Sequence, residues 1–77
     1  MLTSVHPLTP HERFALEWLA AGGDLWLEDD ALVLHRRNVV HRLPVTVLEG
    51  LVRARLVVPS RAGAYELTPA GRAVVGA

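Results

Sequence analysis

Prolines beside helix-capping residues divide this 77-residue chain into helices and shorter segments. Thr9 can cap a helix whose first position is Pro10, and Glu12, three residues after Thr9, completes the pattern of a capping box. Pro44 and Thr68–Pro69 give similar start signals later in the chain. Proline lacks a backbone donor, so it is favoured in the first helical turn and poorly tolerated further in. The sequence therefore predicts helices over about 10–21, 44–56 and 69–75.

The segments between these helices have the pattern of β-hairpins. Leu25–Leu27 and Ala31–His35 are apolar runs on either side of the acidic cluster Glu28–Asp30. Val39–His41 is predicted to continue the sheet, and Ala64–Leu67 to return after the turn residues at 59–63. The predicted fold class is α+β, in the order helix, β-hairpin, helix, β-hairpin, short C-terminal helix.

The length allows one hydrophobic core. A domain of this size buries only a little over ~60% of the surface of its unfolded chain. We expect a single domain over 9–77, preceded by an N-terminal arm at 1–8 without hydrophobic periodicity. The predicted core residues are Phe14, Leu19, Leu25, Leu27, Leu34, Leu48, Leu51, Val52, Leu56, Tyr65 and Leu67.

Two apolar side chains are predicted to face away from this core. Strand alternation places Trp26 and Val33 on the outer side of the first hairpin. Hydrophobic residues make up 51% of the chain, so some apolar surface should contact a partner. Trp26 and Val33 are therefore the predicted protein interface, for a homodimer or for another protein.

The net charge of zero conceals a division along the chain. Up to Leu34 there is one arginine against six carboxylates, a net charge of −5; from His35 onward there are seven arginines against two carboxylates, a net charge of +5. Every basic residue is arginine, whose planar guanidinium suits phosphate, guanine edges or carboxylate. If folding separates the halves, the second half offers a phosphate-binding surface. If the halves interleave, the charges neutralise one another.

Several classes of chemistry lack their residues here. The chain has no cysteine, which removes disulfides, thiolate metal sites and cysteine nucleophiles. The four histidines lack metal-site spacing, and no local motif suggests a catalytic triad or a phosphate loop. We therefore expect no enzymatic activity, metal or cofactor. The longest apolar runs are shorter than the ~20 residues of a membrane span, so a cytoplasmic protein without a membrane partner is expected.

The second half resembles part of the bacterial winged-helix fold. Leu48–Val57, a glycine-containing tip, and Tyr65–Arg72 are similar to its recognition helix, wing and closing helix. The chain departs from that fold at 32–41, where a positioning helix is replaced by predicted strand. The whole chain resembles the small YjhX-type toxin family, which implies binding and inhibition of a topoisomerase. The residues that carry this likeness are Leu8–Glu12, Leu16, Leu19–Ala20, Gly22–Gly23, Val47, Leu48, Leu51, Leu56–Val57 and the strand from Tyr65.

The functional prediction is a dimeric, winged-helix-like DNA-binding protein that regulates transcription. The winged-helix resemblance implies that Thr46, Glu49 and Arg53 face bases and that Arg61 lies at the wing tip. The predicted nucleic-acid contacts are Arg36, Arg37, Arg42, Thr46, Arg53, Arg55 and Arg61. The alternative is a protein-binding module, such as a toxin-like inhibitor of a nucleic-acid enzyme, with Trp26 in the interface.

Overall fold

Three helices and two antiparallel sheets make up the part of the chain that the computed structural model describes, residues 8–60 and 63–76. Residues 1–7 of the predicted arm at 1–8, and Arg61, lie outside these residues. The α+β class and the order of elements are as predicted. The elements are α1 (Pro10–Ala20), β1 (Asp24–Glu28), β2 (Ala31–Arg36), β3 (Val39–Pro44), α2 (Val45–Arg53), β4 (Val57–Pro59), β5 (Tyr65–Leu67) and α3 (Pro69–Gly76).

The helix starts follow the capping signals in the sequence. The Glu12 amide donates to Thr9 Oγ1 and the Thr9 amide donates to Glu12 Oε1, both at 3.1 Å, which is the reciprocal capping box. The Gly71 amide donates to Thr68 Oγ1 at 3.0 Å, so Thr68 caps α3. Pro44 precedes α2 as its N-cap residue and supplies no side-chain hydrogen bond.

Helix α2 ends earlier than predicted because its last turn closes into a C-terminal cap. Arg55 adopts a left-handed φ of 61°, and the Leu56 amide donates to the Leu51 carbonyl at 3.0 Å. The Arg55 amide also donates to the Val52 carbonyl at 2.9 Å. This is the Schellman arrangement, in which glycine is the usual left-handed residue. The predicted end at residue 56 was therefore wrong by about one turn.

The larger sheet has the order β1-β2-β3, with β3 at one edge. Leu25 pairs with Leu34, and Val33 pairs with both Trp26 and Arg42. Beyond β1, an isolated bridge joins Trp26 to Ala64, so the β4-β5 hairpin lies beside the β1 edge. The two edges of the sheet therefore differ: β3 forms one edge, and the other edge, β1, is flanked by the β4-β5 hairpin.

The core lies between one face of the larger sheet and the helices. Leu25, Leu32 and Leu34 are fully buried there, together with Leu16 of α1 and Leu51 of α2. The remaining buried members of this cluster are Ala15, Val47, Leu48, Leu56 and Val57.

Three predicted core residues lie at the rim instead. Phe14, Leu27 and Val52 are 37%, 47% and 41% exposed. In α1 the buried stripe is Glu12, Ala15 and Leu16. Glu12 faces inward, where its carboxylate lies against Gly50 of α2, and Phe14, two residues further along the helix, therefore points outward.

Val33 lies on the outer face of the sheet as predicted, but the prediction that it is exposed was wrong. Its exposure is 1%. Its register neighbours on either side are Trp26 and Arg42, two long side chains on the same face. Val33 therefore cannot contact a partner in this fold.

Gly71 gives a test of how tightly α3 packs. A Cβ on this buried glycine would collide with the Leu56 carbonyl oxygen and crowd the Leu67 side chain. We expect Gly71→Ala to lower the free energy of unfolding by about 1–3 kcal/mol, measured by urea denaturation.

The matched control is Gly76→Ala in the same helix, where a Cβ meets nothing within 4 Å. Its expected effect lies between no change and a gain of about 1 kcal/mol. Equal effects of the two substitutions would show that α3 does not pack against Leu56 in solution.

Candidate nucleic-acid interface

The second-half arginines that the structure describes are exposed and form no ion pair with another described residue. Within residues 8–60 and 63–76, the ion pair that involves an arginine is Arg13–Glu17, which lies in the first half of the chain and spans 3.8 Å along α1. Among the described residues, the exposed arginines without a carboxylate within 4.0 Å are Arg36, Arg37, Arg42, Arg53, Arg55 and Arg72. Pairing of the two halves therefore does not consume these charges, and they are available to an external anion.

The division of charge along the chain becomes a division along the sheet. Asp29 and Asp30 form the acidic β1-β2 turn directly after Glu28, the last residue of β1, and Arg37 begins the basic β2-β3 turn directly after Arg36, the last residue of β2. Consecutive turns of an antiparallel sheet lie at opposite ends of the shared strand. The six residues of β2 therefore separate the acidic and basic turns by roughly 17–20 Å.

The predicted patch of Arg36, Arg37 and Arg42 is divided by the sheet. Arg42 pairs with Val33, and Arg36 is three residues from Val33 along the same strand. Side chains alternate between faces, so Arg36 and Arg42 lie on opposite faces. Arg36 and Arg37 share the helix-covered side with Trp18, whereas Arg42 lies on the outer face.

Three aromatic rings pack together beside the basic turn. The ring centroids of Phe14 and Trp18 are 5.6 Å apart, and the His41 ring meets them edge-on at 5.4 Å and 5.2 Å. Trp18 Nε1 donates to the His35 carbonyl at 3.3 Å, which fixes the indole against β2. Phe14 is 37% exposed and His41 is also exposed. We call Phe14, Trp18 and His41 the ring cluster.

A groove of about 370 Å³ joins the ring cluster to the basic turn. It is lined by Trp18, Arg36, Arg37 and Val39. Guanidinium groups next to aromatic surface are the combination that holds phosphates while bases stack. Sequence reasoning placed Phe14 in the core and assigned Trp18 to no binding site. Their spacing of four residues on one helix was the signal that they form a pair.

The other predicted contacts do not join this groove. Thr46 is exposed on α2, and Arg53 lines a different, apolar groove. Arg55 occupies the left-handed cap position after α2, where its carbonyl accepts from Thr68 Oγ1 at 2.7 Å. The predicted wing residue Arg61 lies outside the described residues.

Trp26, the predicted protein contact, is half-buried, and its side chain contacts residues of β1 and β2. Its Nε1 donates to Glu28 Oε1 at 3.1 Å, and its ring lies 5.7 Å from the His35 ring. His35 Nδ1 is 3.9 Å from Asp24 Oδ2 on the same face. These contacts orient the Trp26 side chain on the outer face of the sheet.

Two further properties concern the described residues as a whole. Residues 8–60 and 63–76 contain no group of three or more histidine or carboxylate side chains placed to hold a metal ion. Within the same ranges, no helix has the length and apolar character needed to cross a bilayer.

The conformation of Arg37 gives a stability test at the basic turn. Arg37 has a left-handed φ of 56°, whereas the φ of Asn38 is not positive. This combination is typical of a type II′ turn, whose first central position favours glycine. Arg37→Gly should raise the free energy of unfolding by about 0.5–1 kcal/mol, the relief of strain less the entropy that glycine adds to the unfolded chain. Urea denaturation measures the change.

Asn38→Gly is the control at the neighbouring position. It adds the same flexibility without relieving a left-handed φ, so we expect a loss of up to about 1 kcal/mol. If both variants lost stability, the assigned turn geometry would be wrong.

No protein-family model, curated protein or solved structure matches this chain. Its function therefore has to be inferred from the arrangement of its own side chains.

Proposed function

We propose that this chain is a small nucleic-acid-binding protein whose contact surface is the β2-β3 turn and the ring cluster. The observation that carries the proposal is the groove shared by Trp18, Arg36 and Arg37. Both arginines are exposed and form no ion pair within the described residues. They are therefore free to contact phosphates from adjacent positions.

The aromatic component favours a nucleic acid over a simple anion. A phosphate ion requires only the arginines, whereas a nucleotide chain also offers bases that stack on exposed rings. Phe14 and His41 are exposed at the ring cluster, and Val39 adds apolar surface, being 48% exposed. This composition supports binding of unpaired bases more strongly than reading of a duplex groove.

The second half of the chain supports a winged-helix-like arrangement in part. The order α2, β4, β5, α3 is that of a recognition helix, wing and closing helix. The exposed side of α2, however, combines Glu49 with the half-exposed Val52. A carboxylate and an apolar side chain suit phosphate-rich surroundings poorly. We therefore assign the nucleic-acid contact to the β2-β3 turn and not to α2.

Binding can be followed through the fluorescence of Trp18. In a Trp26→Phe background Trp18 is the remaining tryptophan, and it lines the proposed groove. We expect oligonucleotides to change its emission, with a single strand binding more tightly than a duplex of the same length. The affinity should fall steeply as salt increases, because phosphate contacts release counterions.

The double variant Arg36→Ala with Arg37→Ala should lower the affinity at least about tenfold. It removes two phosphate contacts, so the slope of log K against log salt should become shallower by about 1.4 for a single strand. A loss of affinity without a change in this slope would mean that the two arginines do not neutralise phosphates.

The control is Arg42→Ala, which removes another exposed arginine, from the opposite face of the sheet. Its affinity and salt slope should stay close to those of the parent chain. The same loss of binding free energy per removed arginine in the control and in the double variant would reduce the binding to nonspecific charge. Absence of binding to either strand form at low salt would refute the proposal.

A further inference from the structure

An apolar groove of about 500 Å³ lies between α2 and the β1 and β5 strands, away from the nucleic-acid groove. Its apolar lining includes Leu27, Val52 and Tyr65, of which Leu27 is 47% and Val52 is 41% exposed. Exposed aliphatic side chains gathered beside a helix are typical of a contact surface. The question is which partner covers them.

The charges at the rim of this groove identify the partner. Glu49 and Arg53 both line it, one helical turn apart on α2. Both are exposed, and in the described part of the chain neither forms an ion pair. The rim thus presents one negative and one positive group, neither with an oppositely charged partner within 4.0 Å among residues 8–60 and 63–76.

Such a rim is complementary to itself. When two α2 helices pack antiparallel across a two-fold axis, Glu49 of one copy lies opposite Arg53 of the other, and the contact occurs twice. The same arrangement brings Val52 of each copy over the other copy's groove. The net charge of zero removes overall repulsion between copies.

We propose that this face of α2 is the interface of a homodimer, held by apolar contact in the groove and by two reciprocal Glu49–Arg53 pairs. The inference is independent of the proposed nucleic-acid binding, because it uses a different groove and needs no ligand. It replaces Trp26 and Val33 as the dimer surface.

Sedimentation over a wide range of protein concentration tests the interface without nucleic acid. The parent chain should show a monomer–dimer equilibrium. Glu49→Arg and Arg53→Glu each convert both reciprocal contacts to like-charge contacts, so each single variant should raise the dimer Kd at least about tenfold. Far-UV circular dichroism and urea denaturation check that these surface variants remain folded.

Restoration separates this geometry from a general charge effect. Combining Glu49→Arg with Arg53→Glu in one chain keeps the net charge at zero and exchanges the two signs, so the dimer should return. The two single variants mixed in equal amounts should also form a heterodimer, because one rim is then wholly positive and the other wholly negative.

Arg42→Glu is the control for Arg53→Glu, since it makes the same change in net charge on the outer face of the sheet. It should leave the dimer Kd within about twofold of the parent value. A parent chain that stays monomeric, a dimer that survives both single reversals, or a double variant that fails to dimerise would each overturn the proposal. Disruption by Arg42→Glu alone would place the interface at the sheet and overturn it as well.

Discussion

The packing of the Trp18 indole against Gly23 and β2 is the interaction on which the arrangement of α1 and the larger sheet depends most. Its ring occupies the space above Gly23 so closely that a Cβ at Gly23 would collide with it. The Gly23 amide donates to the Trp18 carbonyl at 2.9 Å, and the indole nitrogen donates to the His35 carbonyl. One residue thus closes the C-terminus of α1, orients β2 and forms one wall of the arginine groove. Trp18 therefore contributes to both the fold and the candidate site, and a substitution there would affect both.

Local signals in the sequence predicted the elements, and tertiary packing decided their faces. The capping box at Thr9 and the Thr68 cap act within four residues, so their outcome could be derived from the sequence. The face of α1 that is buried could not be derived in this way. It depends on Glu12 meeting Gly50, which is 38 positions away in the sequence. The exposure of Phe14 follows from that distant contact.

In the candidate site too, the sequence indicated some of the residues, and tertiary structure decided which of them lie together. Charge counting found Arg36 and Arg37, but it could not show that Arg42 lies on the other face, because this depends on the β2-β3 register. His41 was not recognised as part of a ring cluster, since its contacts come from α1, which is distant in the sequence and packs on the same face of the sheet. Composition can therefore suggest an anion-binding function, but only the strand pairing selects the arginines that act together.

A net charge of zero is compatible with a strongly positive site when the charges are far apart. At physiological ionic strength the Debye length is about 8 Å, so the acidic turn lies about two screening lengths from Arg36 and Arg37. The nearer carboxylate of Asp24 lies beside His35 on the outer face of the sheet. A phosphate in the groove therefore experiences mainly the two guanidinium groups, while two copies of the molecule approach without overall repulsion. The same charge distribution favours both anion binding and self-association.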